Sequence, residues 1–190
     1  MSELSLGTLS GLAANSFVVD VAAGSTLDLS AGAVFPAGSI LQVVSATKTD
    51  TFTVSSITET DVTGLSATIT PASATSKVFV TASVQVGANI TYVFAGLRLV
   101  RDATPIAIGD AAGSRVQAGA SVSPTYGSTM ASVTMSTLDT PATASAVTYK
   151  VQLRADRTAH AVYVNRSDTD VNSNVGARAA STITVWEIAG

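Results

Sequence analysis

From residue 76 to residue 86 the chain alternates without a break. Val78, Val80, Ala82, Val84 and Val86 fall on one side of an extended backbone, and Phe79, Thr81, Ser83 and Gln85 fall on the other. A period of two is the signature of a strand with one buried face. Similar runs recur at residues 40–47, 61–70, 92–101, 129–138, 146–155, 159–165 and 181–188, separated by turn-rich joints such as TPASATS and LDTPATAS. No stretch of ten or more residues carries apolar positions at the i, i+3, i+4, i+7 spacing between capping residues, so helices are not expected. About eight strands at this spacing indicate an all-β antiparallel β-sandwich, jelly-roll-like, with a true jelly roll and another eight-stranded sandwich equally compatible with the pattern. Two joints read as hairpins: Arg101-Asp102-Ala103-Thr104 between Leu99 and Ile106, and Asp156-Arg157-Thr158 between Leu153 and Val162.

Two stretches break the rhythm. In residues 1–38 the strand candidates FVVDV (17–21) and TLDLS (26–30) are very short and are interrupted by AAGS, AGA and PAGS. The segment is expected to be an extended arm, with residues 39–190 as the sandwich domain. Small apolar residues and short strands suit addition to the exposed sheet edge of a neighbour, which nominates Leu4, Leu6, Leu9, Leu12 and Phe17 as attachment residues. The second stretch, residues 109–129, is long for a connection and hence a candidate contact loop. Asp110 and Arg115 are expected to pair within it, and Tyr126 is its one aromatic candidate for a ligand or subunit contact.

Composition sharpens this picture. The chain has 190 residues and is 46% hydrophobic, but only 5% aromatic and 12% charged; Ser and Thr supply roughly a quarter of it, far above average usage. Mean hydropathy is positive, although no apolar run approaches the ~20 residues of a membrane-spanning helix. A monomer of this size ordinarily carries more surface charge, so part of the uncharged surface is expected to be an interface. Ten basic residues without a run, at a net charge of −3, offer no footprint for a phosphate backbone; neither nucleic acid nor a membrane is expected as a partner. The absence of cysteine excludes disulfides and thiolate chemistry. The N-terminus lacks the basic region of a secretory signal, which implies synthesis and assembly in a cytoplasm.

Candidate chemistry is sparse. The single histidine, His160, stands four residues after Asp156 in a tight turn and reads as a hairpin polar residue in preference to a member of a Ser–His–Asp triad. The run Asp168-Thr169-Asp170-Val171-Asn172-Ser173-Asn174 places oxygen side chains at alternate positions, as in the first half of a calcium loop. It lacks the Gly at position six and the bidentate Glu at position twelve, where Ala179 stands, and a plain turn is the better reading. Glu3, Glu59 and Glu187 lie in an arm, a loop and the last strand and nominate no carboxylate pair. The stretch Gly109–Arg115 lacks the Lys-Ser/Thr and the helix of a phosphate loop. The triplets at Asn89 and Asn165 that match a glycosylation acceptor are given no role. No catalytic, metal or cofactor residue is nominated, and an enzyme is not expected. Trp186 falls on the strand face of Thr182, Thr184 and Ile188, suited to a core or to a subunit interface.

The segments GSILQVVSATKTDTF (38–52), DVTGLSATITPASATSKVFV (61–80), IGDAAGSR (108–115), STLDTPATASAVTYKVQLRA (136–155), VYVNRS (162–167) and STITVWEIAG (181–190) together resemble a β-sandwich knob module of fibre and virion structural proteins of tailed phages, especially phages of cyanobacteria and marine bacteria. The resemblance covers about residues 38–190. It implies a homotrimer on the virion surface, in contact with capsid or tail proteins, and no enzymatic activity. A tail fibre usually carries a longer stem than the 38 residues that precede this knob. The expectation is therefore a capsid decoration, or cement, protein held by its arm; the alternative is a short tail-fibre tip that binds a host receptor or surface glycan.

Overall fold

In the computed structural model, which describes residues 35–124 and 127–190, the alternating runs become strands and no helix forms among the described residues. The strands are β1 (Ile40–Lys48), β2 (Phe52–Val54), β3 (Thr60–Ile69), β4 (Lys77–Ala88), β5 (Ala95–Arg101), β6 (Thr104–Ile106), β7 (Ala120–Val122), β8 (Ala131–Asp139), β9 (Val147–Arg154), β10 (Val162–Val164) and β11 (Ser181–Ile188). All eight predicted strands are present. The three additional ones, β2, β6 and β7, have three residues each, too few to display a period of two.

Every pairing is antiparallel. One sheet runs β1-β11-β4-β8. The far end of β4 leaves β11 and pairs with β10, which in turn pairs with β2. The other sheet runs β3-β9-β5, with the free side of β5 shared between β6 and β7. Taken along the chain, β1, β3, β4, β5, β7, β8, β9 and β11 fall into sheets ordered β1-β11-β4-β8 and β3-β9-β5-β7. That is the strand order of a jelly roll, two Greek keys folded into facing sheets.

The core lies between the two sheets. Val78, Val80, Ala82, Val84 and Val86 of β4 are fully buried, as the alternation requires, and they face Leu97 and Leu99 of β5, Val147, Tyr149, Val151 and Leu153 of β9, and Leu65 and Ile69 of β3. Burying each of these aliphatic side chains is favourable by about 1.5–3 kcal/mol. Two glycines shape the strands. Gly64 has φ +82° in a bulge that shifts the β3–β9 register between Asp61 and Ser66. At Gly87 a Cβ would collide with the backbone of Arg166 and Ser167, so only glycine lets the 165–167 segment lie across β4.

Of the two expected hairpins, the first forms: Arg101 pairs Thr104, Leu99 pairs Ile106, and Asp102 adopts φ +52° in the turn. The second does not. β9 belongs to one sheet and β10 to the other, so the segment around Asp156 crosses the sandwich instead of closing a hairpin. The reason is burial: all three residues of β10 are buried, filling the space beside the second half of β4 that β11 leaves open.

Candidate functional site

The outward faces of the two sheets differ in chemistry. On the β3-β9-β5 sheet the charged side chains pair across strands. Lys150 and Gln152 of β9 donate to the two oxygens of Asp61 at 2.6 Å each, Arg98 of β5 donates to Gln152 at 2.8 Å, and Glu59 stands 3.7 Å from Arg98 and 3.6 Å from Arg154. The Lys150 ammonium, helped by Gln152, holds the Asp61 carboxyl below its ordinary range. These contacts tie β3, β9 and β5 together as cross-strand pairs.

The outer face of the β1-β11-β4-β8 sheet is different. The register places Val43 against Trp186, Trp186 against Phe79, and Phe79 against Leu138, a continuous apolar row across four strands. Val43 and Leu138 are each 53% exposed and Phe79 38%, and the Phe79 and Trp186 rings lie 5.5 Å apart at 40°, a tilted aromatic pair. The next row is Ser45, Thr184, Thr81 and Ser136, and the one after it Thr47, Thr182, Ser83 and Thr134. Ser45 and Thr184 share a hydrogen bond of 2.9 Å, and Gln85 donates to Ser132 at 3.0 Å. Among the outward positions of these four strands Lys77, at the corner, is the only charged residue.

Buried polar groups stand at the ends of the sandwich. The Asn165 amide donates to the carbonyls of Lys48 (2.8 Å) and Asp50 (3.0 Å) and accepts from Ser181 (2.6 Å), with φ +64°, a conformation that asparagine tolerates better than most residues. Its complete burial also removes the 165–167 triplet from reach as a glycosylation acceptor. Lys48 donates to Asp50 at 2.8 Å. Asp139 of β8 accepts from Arg101 of β5 at 2.8 Å and from the Tyr149 hydroxyl of β9 at 2.7 Å, bridging the two sheets. Burial, together with the Asp139 carboxylate, pushes the Tyr149 phenol up. Glu187, fully buried, accepts from Gln42 (2.6 Å) and from the Ala72 amide (2.7 Å). Burial raises its carboxyl pKa, but these donors prevail and hold it below the ordinary range.

The residues nominated from the sequence fare unevenly. Leu4, Leu6, Leu9, Leu12, Phe17 and Tyr126 lie outside the described residues. Asp110 and Arg115 are both exposed and do not pair; the Arg115 guanidinium donates to the Ala112 carbonyl at 3.3 Å in its own turn. A tight turn supplies a nearer acceptor than a side chain five residues away. The 109–119 segment is closed on itself, with Gly109 N–H donating to Ala118 and Gln117 to the Gly109 carbonyl. His160 Nδ1 meets Asp156 at 2.7 Å, a polar contact within one turn. In the 168–174 run both carboxylates are engaged: Asp168 accepts from Tyr163 at 2.9 Å, and Asp170 takes both arms of Arg178 at 2.8 and 2.9 Å. Arg166 stacks 3.5 Å from the centre of the Tyr163 ring. Among the described residues no cluster of three or more His, Asp or Glu could hold a metal. The loop instead borders an open cleft of about 420 Å³ lined by Asp170, Val171, Asn172, Ser173, Gly176 and Arg178.

No protein-family model matches the chain, and no curated protein does. Among solved structures, a chain from the structure of infectious bursal disease virus Gt strain is similar at 13% sequence identity and a TM-score of 0.40. The match covers 78% of this chain but only 38% of the viral one.

Proposed function

We propose that this chain is a non-enzymatic structural protein of a virus particle: a homotrimeric decoration protein on the capsid of a tailed phage, attached through its N-terminal segment. The observation that carries the reading is the division of labour between the sheet faces. The carboxylates Asp61, Asp139, Asp170 and Glu187 are each committed to holding strands or loops together, while one sheet face presents uncharged side chains to its surroundings everywhere but at Lys77. Such an arrangement serves attachment and assembly. The jelly roll is an architecture shared by viral capsid and lectin domains, an analogy of fold that agrees with the resemblance to phage knob modules without extending it.

The polar cleft beside residues 170–178 favours a second reading, a short tail-fibre tip that binds a host glycan, because sugar recognition needs converging polar groups around a concave surface. Purified protein mixed separately with capsids lacking it, with tails and with host cells, then pelleted or imaged, separates the two. Binding to capsids supports decoration. Binding to tails or cells alone rejects it in favour of the receptor-binding reading.

A further inference from the structure

We infer that the outer face of the β1-β11-β4-β8 sheet is the surface on which a second copy of this chain seats, with the row Val43, Trp186, Phe79 and Leu138 as its apolar centre. The inference rests on the proposed homo-oligomeric reading and assigns it a surface.

Three features point to a copy of the same chain. The first is charge: the outward positions of these strands carry only Lys77, at a corner. In a homotrimer this face meets a different surface of the neighbouring copy, except close to the three-fold axis where it meets itself, and in either place a neutral patch avoids the like-charge opposition that a charged face would suffer. The opposite sheet, with Asp61, Lys150, Arg98 and Glu59 on or beside its surface, would have to break ion pairs to do the same.

The second is area. Four strands spaced about 4.8 Å apart and paired over about eight residues present roughly 500 Å² in projection. With side-chain relief this approaches the roughly 800 Å² that each partner gives to a stable interface. The third is anatomy. The one tryptophan of the chain and a phenylalanine in ring contact with it sit in the middle strands β11 and β4, flanked by half-exposed Val43 and Leu138 and by rows of hydroxyls. Aromatic anchors with a hydrogen-bonding surround are how interfaces concentrate their binding energy.

Trp186 makes the surface directly observable. In full-length protein, light scattering over a dilution series gives the mass of the assembly, and tryptophan emission with acrylamide quenching gives the environment of Trp186 in the same samples. The expected result is an oligomer whose emission shifts to the red, and becomes more quenchable, as dilution dissociates it. Leu138→Glu and Val43→Glu, at positions half exposed in a single chain, should each weaken association at least tenfold and leave the β-sheet circular dichroism unchanged. Thr68→Glu, on the outer face of the other sheet, should not. Wild-type protein that is monomeric throughout would overturn both the oligomeric reading and this surface. An oligomer that persists in the Leu138→Glu, Val43→Glu double variant, or that dissociates without any change at Trp186, would overturn the surface alone. A monomer whose Trp186 is already shielded would also overturn it, and would assign the cover to residues 1–34.

Discussion

Asn165 concentrates what single residues do in this protein. It is fully buried with φ +64°, its amide bonds two carbonyls on the strand-turn around Lys48, and its oxygen takes the Ser181 hydroxyl, which itself accepts from the Gln85 amide. Asn165→Ala would leave those buried carbonyls and the hydroxyl short of partners. It should lower unfolding free energy by about 2–3 kcal/mol, measured by urea denaturation. Acid should act on the same scale. Asp50, Asp61, Asp156 and Glu187 all have folded pKa values below their ordinary ones. Their unfolded forms therefore bind protons first as pH falls. Their contribution is complete above the unfolded values near pH 4 and is lost as pH drops through the depressed folded values. Melting temperature should hold from neutral pH to about pH 5 and fall below about pH 4, and Glu187→Gln should flatten that fall while lowering stability at pH 7. Tyr149 acts in the opposite sense. Its raised folded value keeps the phenol protonated when the unfolded chain has begun to lose that proton, so stability should decline again above about pH 10.

At the scale of elements, β4 organises the molecule. It pairs with β8 along one side and with β11 and then β10 along the other, and its five inward residues form the floor of the core. The handover from β11 to β10 depends on Gly87, where the crossing chain leaves no room for a Cβ. Gly87→Ala should loosen β10, read as faster amide exchange at residues 162–164, with less effect on β1 and β3. In the facing sheet, Leu97 is 1% exposed at the centre of β5. Leu97→Ala should cost about 2–5 kcal/mol, because the two sheets are closed over it and cannot collapse into the cavity. The strong alternation of β4 and β11 was legible from the sequence because each has eight or more residues and one buried face. β2 and β7 were not, because three residues carry no period and their pairing is set by the strands beside them; β6, equally short, was reached only through the turn that joins it to β5. The mistaken hairpin at Asp156 has the same origin: a short turn between two apolar runs indicates a reversal of direction, and whether the second run joins the same sheet or the opposite one depends on which sheet has an open position.

For the whole molecule, the proposed attachment makes a separable prediction. Removing residues 1–15 should abolish binding to capsids while the circular dichroism and melting temperature of the sandwich stay close to those of the full chain, since among the described residues Val54 to Val185 already form one continuous core between the two sheets. Loss of both together would show instead that the N-terminal residues are needed for folding. What the sequence determined by itself was local in origin: the extended backbone of eight strands, the all-β class, the inward set of valines on β4, and the shortage of charge. Each of these follows from the period of two and from composition, which neighbouring residues express without reference to the rest of the chain. The tertiary structure alone decided the jelly-roll order of the strands and the engagement of Asp170 by Arg178. It alone also aligned Val43, Trp186, Phe79 and Leu138, which come from four separate stretches of chain. Registers between distant strands arise from packing two sheets face to face, and no local pattern encodes which residue will stand beside which.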